Sequence, residues 1–229
     1  MTTVRPEDLE AAADVAVSAL EPAIGKDWSV RARGLEWSVE FTVAHMAAGT
    51  AKAALYLASR STRFIAVTMG RWPGASQAEQ LAAISGAAKA LANVARMSPE
   101  GARGFHTSGM LDAEGHLTKG CIEMFAHAYD VTGAWGLPFT PPDELCQRLV
   151  ARAFPWVSDG GPAWEAFLSQ TGRLDAPGFP SDDTWVAALI PRAEWDGEIP
   201  KRDPRPIVEW VLDQGAWEPR YWDKDQDMQ

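Results

Sequence analysis

The sequence predicts a mainly α-helical protein, built as a helical bundle with a C-terminal extension of mixed short elements. Three observations carry this. Several segments repeat apolar residues at helical spacing, with helix-start or helix-stop residues at their ends. No segment alternates apolar and polar residues well enough for a confident strand; Trp185–Ile190 is the best candidate and a weak one. The four longest helical segments are joined by links of very unequal length, which suits a bundle with crossovers.

Pro6 followed by Glu7 and Asp8 is a good helix start, and Leu9, Ala13, Ala16 or Val17 and Leu20 then form one apolar face. Residues 25–37 read as a connector. Ser38 is the expected N-cap of a second helix reaching about Ser59. Val43, Met46, Ala47, Ala54 and Leu57 look like its core side. Phe41, Thr42, His45, Ala48, Gly49, Lys52 and Tyr56 make the adjacent face. The apolar run Phe64–Met69 falls in the loop that follows. A third helix is expected from about Ser76 to Arg96, and residues 98–115, with four Gly and one Pro, read as a long connection fit for a lid or pocket wall. His106 lies there, with a surface or packing role expected. A fourth helix should run from about Leu117 to Trp135, with Gly136 at C′ and Pro138 beyond. A fifth is expected over about 142–157, a short one over 163–172 and another over about 206–214. The last residues, DKDQDMQ, read as disordered.

Length and composition fit one globular domain, taken here as residues 1–173, plus an acidic, Trp-rich extension over 174–229 packed on it. The 229 residues carry a net charge of −10. From Leu174 onward there are 13 acids and 6 bases, against 18 and 15 before it. An acidic chain without a basic stripe argues against nucleic acid or an anionic membrane as partner. No apolar run approaches membrane-spanning length, and the acidic start does not read as an export signal. Cys121 and Cys146 form no CxxC pattern and read as two buried thiols in a cytoplasmic protein. The eleven Trp are scattered and read mostly as core or inter-element packing. The expected partner is a small-molecule substrate, with the chain a monomer or homodimer.

The stretch CIEMFAHAYDVTGAWG, Cys121–Gly136, carries the chemistry. Glu123 and His127 stand four apart, so on a helix a carboxylate and an imidazole share one face. With His45 from the second helix they would make a two-His, one-carboxylate set with open coordination positions, suited to zinc or another first-row metal. Spacing alone leaves other readings. Lys119 stands four residues before Glu123 and could pair with it. His45 could be a hydrogen-bonded core residue. Asp112 and His116 show the same spacing, in a segment where Gly115 argues against a helix.

Two motifs add context. The second helix opens Trp37-Ser38-Val39-Glu40-Phe41-Thr42-Val43-Ala44-His45; the fourth carries Glu123, His127, Asp130 and Ala134-Trp135-Gly136. Phe167–Arg173 adds a Thr-Gly-Arg close. In these features residues 5–173 resemble the metal-binding domain of mycothiol-dependent maleylpyruvate isomerases, in the wider DinB-like bundle superfamily. Tyr129 stands where that family often has Trp, and the final 56 residues lie outside the likeness. The resemblance implies a DinB-like four-helix bundle in which His45, Glu123 and His127 bind a divalent metal, usually zinc. Asp130 would orient a ligand or cap nearby backbone, with the structural role expected. Lys52, Tyr56 and Lys119 are pocket candidates. In the isomerase that names the family, mycothiol adds to a cis double bond, the new single bond rotates, and elimination gives the trans isomer. The implied function is a mycothiol-linked isomerase or S-transferase. A non-catalytic metal or small-molecule binding bundle, a purely structural bundle, and a thiol-independent enzyme on a natural-product intermediate are the alternatives.

Overall fold

A computed structural model describes residues 3–65, 72–157, 161–174 and 186–200. Its centre is a single helix buried on nearly every side. Helix α4, Ala113–Gly133, buries almost every residue from Gly115 to Thr132. A helix whose whole circumference is inside needs neighbours all round it. Helices α1, Pro6–Leu20, α2, Val39–Ser59, and α3, Gln77–Met97, all pack against it, and α1 and α2 also pack against α3. The protein is therefore mainly helical. Helices α5, Asp143–Ala153, and α6, Ala163–Gln170, pack on each other, and α5 also meets α4. No described helix is long and apolar enough to cross a membrane.

Local chemistry explains the boundaries. Ser38 accepts a hydrogen bond from Phe41 N–H at 3.1 Å and starts α2, as expected. Ser76 and Glu79 close a reciprocal capping box at the start of α3. At the other end of α4, Gly136 takes φ 65° and Leu137 N–H reaches Thr132 O at 3.0 Å, the six-to-one bond of a Schellman close. The connector before α2 is ordered by Ala32 N–H to Trp37 O at 3.0 Å and Val39 N–H to Val30 O at 2.8 Å. It is tied to the end of α4 by Arg33 N–H to Asp130 O at 2.8 Å.

Several expectations need correction. Helix α4 begins a turn earlier than Leu117, so Asp112 and His116 are not in a loop. Asp112 is its N-cap, accepting from Gly115 N–H at 2.7 Å. Gly115 does not break the helix; it makes room, since a Cβ there would sit 2.1 Å from Leu189 O. The expected connection over 98–115 contains a hairpin. Strands β1, Arg103–His106, and β2, Gly109–Asp112, pair antiparallel with Arg103 opposite Asp112 and His106 opposite Gly109. Gly104 lets β1 lie directly on α2, where a Cβ would come within 2.6 Å of the Tyr56 backbone. Helix α5 stops at Ala153, short of 157.

The strand candidate over 185–190 does not form in its described part. Residues 186–190 pair with no strand among the described residues, and the carbonyls of Ala188, Leu189 and Ile190 go to a side chain. Arg152, with only 2% of its surface exposed, donates to Ala188 O, to Leu189 O at 3.1 Å and to Ile190 O at 2.9 Å. Ala187, Ala188 and Leu189 are buried, so residues 186–190 lie against α4 and α5. The expected helix over 206–214, the disordered tail and most of the Phe64–Met69 run lie outside the described residues. Both cysteines are buried and free, as expected. Among the described tryptophans Trp28 is in the core and half-buried Trp135, Trp156 and Trp164 pack against it, as expected, while Trp72 is exposed.

Candidate metal centre

Helices α2 and α4 bring His45, Glu123 and His127 together. Each offers one ligand atom, and the three atoms lie within 4.8 Å of one another. Glu123 Oε2 is 3.1 Å from His127 Nε2 and 3.4 Å from His45 Nε2. These approaches lack hydrogen-bond alignment, so among the described residues Oε2 is a buried acceptor with no hydrogen-bond partner. Ligand bonds of about 2.1 Å at angles of roughly 90–110° place neighbouring donor atoms about 3.0–3.4 Å apart. Both separations to Oε2 fall in that window. An unpartnered buried oxygen flanked by two imidazole nitrogens fits a divalent cation, which would satisfy all three at once.

The surroundings fix how each donor is presented. His127 Nδ1 is 3.0 Å from Asp130 Oδ2. A carboxylate only accepts, so Nδ1 carries the proton and, in the neutral imidazole, the Nε2 lone pair faces Glu123. Asp130 is held in turn by Arg173, whose Nε and Nη2 reach its two oxygens at 2.8 and 2.6 Å. Arg173 also donates to Thr171 O at 2.8 Å. Asp130 thus orients a candidate ligand, where the sequence suggested a structural cap. Trp37 lies beside both imidazoles, its ring 4.9 Å from His45 and 6.1 Å from His127, and forms the partly exposed rim.

Charge is concentrated and nearly balanced. Lys119 Nζ contacts Glu123 Oε1, so the helix pair foreseen as a competitor to the metal is present alongside the three-donor cluster. Burial pushes the Glu123 carboxyl up, but Lys119, then His127 and His45, outweigh it and hold the group well below the usual carboxylate range. For His127 burial works against the imidazolium, while Asp130 and Glu123 raise its pKa overall. Without an ion the site is a self-neutralised polar cluster.

The other pocket candidates line the same side of α2, farther along. Lys52 Nζ sits 4.0 Å over the Phe64 ring, half-buried, and burial lowers its pKa. Tyr56 is buried between Phe64 and Phe105 at ring distances of 6.3 and 5.5 Å, and its hydroxyl accepts from Ile65 N–H. His106, partly exposed at the end of β1, accepts from Ser108 N–H at 3.1 Å. His116 is fully buried, with Nε2 3.3 Å from Gly104 O, and plays a packing part away from the three donors. Both thiols are buried, and burial raises their pKa.

Arg173 had no role in the sequence reading beyond closing a motif. Its partner lies 43 residues away, and nothing local marks the pair. No family model, curated protein or solved structure matches the chain.

Proposed function

We propose that this protein is a divalent-metal-dependent enzyme that acts on a small organic substrate, with zinc the expected ion and a low-molecular-weight thiol such as mycothiol the expected co-substrate. The observation that carries the metal reading is Glu123 Oε2, buried between the Nε2 atoms of His45 and His127 and without a hydrogen-bond partner among the described residues. The motif resemblance over residues 5–173 to mycothiol-dependent maleylpyruvate isomerases supports the thiol and the choice between isomerase and S-transferase. It also supports reading the packed helices as a DinB-like bundle.

His45, Glu123 and His127 would hold the ion, leaving positions for other ligands. A cation there supplies Lewis acidity, polarising a carbonyl or favouring the anionic form of a thiol. The chain's own residues prepare the place. Asp130 and Arg173 set the His127 ring. Trp37 covers part of the His45 face and limits water on that side. The buried Glu123, 8% exposed in its side chain, sits where low local dielectric strengthens every charge interaction.

The test is titration of zinc-loaded protein with mycothiol, followed by assay of thiol-dependent isomerisation and transfer. Saturable thiol binding with turnover is expected. Zinc-loaded protein that binds the metal but neither binds the thiol nor turns over any thiol-dependent substrate would replace the enzyme reading with that of a metal-binding bundle.

A further inference from the structure

We propose that Lys119 is a positioning residue that makes Glu123 a one-oxygen ligand and directs the site toward anionic partners; this rests on the metal reading above. Lys119 and Glu123 lie one turn apart on α4, and Lys119 Nζ contacts Oε1 while Oε2 alone faces the two histidines. A carboxylate can grip a cation through both oxygens or through one. Here the second oxygen is engaged by an ammonium group, and both side chains are largely inside, at 20% and 8% exposure. One-oxygen binding leaves one more position free for a substrate or co-substrate.

Charge points the same way. Glu123 and Asp130 contribute two negative charges, and Lys119 and Arg173 two positive ones, paired oxygen to nitrogen. With neutral imidazoles these four groups cancel one another, so among them a divalent ion's two positive charges meet no further counter-charge. An incoming anion with one donor atom, such as a thiolate or azide, gains more there than a neutral ligand does. Lys119 therefore acts by geometry and by removing the charge Glu123 would otherwise spend on the ion.

Cobalt(II) substitution with azide as the probe reads both effects. Wild-type protein should bind cobalt and then azide. Lys119→Met should still bind cobalt, show a weaker visible band as Glu123 closes with its second oxygen, and lose about tenfold in azide affinity. Lys119→Arg, which keeps the ion pair, should restore both. Unchanged spectrum and azide affinity in folded Lys119→Met would overturn the role of Lys119 while leaving the metal site intact; failure of wild type to take up cobalt would overturn the metal reading itself. Should Lys119→Met fail to fold, a crystal structure of the zinc-loaded wild type decides. One Glu123 oxygen within about 2.2 Å of zinc and the other on Lys119 is expected, and two oxygens on zinc would refute the proposal.

Discussion

Arg173 forks both oxygens of Asp130, at 2.8 and 2.6 Å, and so ties the residue that orients His127 to the chain just beyond α6. The side chains are 10% and 2% exposed, so this is a buried pair whose oxygens are matched to a planar donor.

Removing one member of such a pair leaves the other charged and enclosed. Arg173→Met should cost about 3–5 kcal/mol in urea unfolding. Asp130→Asn keeps the shape but weakens the grip on Nδ1–H, and should lower zinc affinity about 10–100-fold by competition with a chelator. Unchanged zinc affinity in Asp130→Asn would separate Asp130 from the metal site.

A buried neutral histidine gives a pH signature. Burial pushes His116 from its ordinary 6.5 down to about 4, against a raising contribution from its bond to Gly104 O. The unfolded chain thus takes up a proton near pH 6.5 that the folded chain refuses until about pH 4. The stability is fully present above 6.5 and is lost as pH falls between those values. Linkage puts the loss at pH 5 at about 2 kcal/mol. Urea midpoints at pH 7 and pH 5 measure it, and His116→Gln should flatten the slope over that interval. An equal slope in the variant would show that another group governs the acid limb.

The stretch 186–190 is held by Arg152 and seated in the space that Gly115 leaves. Arg152→Met removes three carbonyl contacts, and Gly115→Ala places a methyl where Leu189 O now lies. Each should destabilise by about 1–3 kcal/mol and speed proteolytic cleavage near residue 190. Cleavage at the wild-type rate in both would mean the segment is secured elsewhere.

The helices were legible where side-chain periodicity and capping agree. Ser38, Ser76 and Gly136 mark their boundaries; on α2 the expected core side is buried except for half-buried Ala47, but Thr42 and Tyr56 from the adjacent face are buried as well. What escaped was governed by contacts distant in sequence. Gly115 looked like a breaker because the Leu189 carbonyl it accommodates is 74 residues away. The hairpin over 103–112 has four-residue strands, too short to show alternation, and its Gly104 serves the Tyr56 backbone. The run over 186–190 has no partner strand among the described residues, and a single arginine takes the carbonyls of Ala188, Leu189 and Ile190. Within the site, Glu123 and His127 were readable from one helical turn. Trp37 and Arg173 acquired their places only from the fold.

His45, Glu123 and His127 are proposed to hold one divalent ion together. Zinc titration by calorimetry, with elemental analysis of the folded wild type, tests it most directly beside His45→Ala. About one zinc per chain is predicted for wild type, with a raised unfolding temperature on loading, and no stoichiometric zinc for His45→Ala. A folded wild type that takes up no zinc, or a His45→Ala protein that takes up as much, would contradict the account.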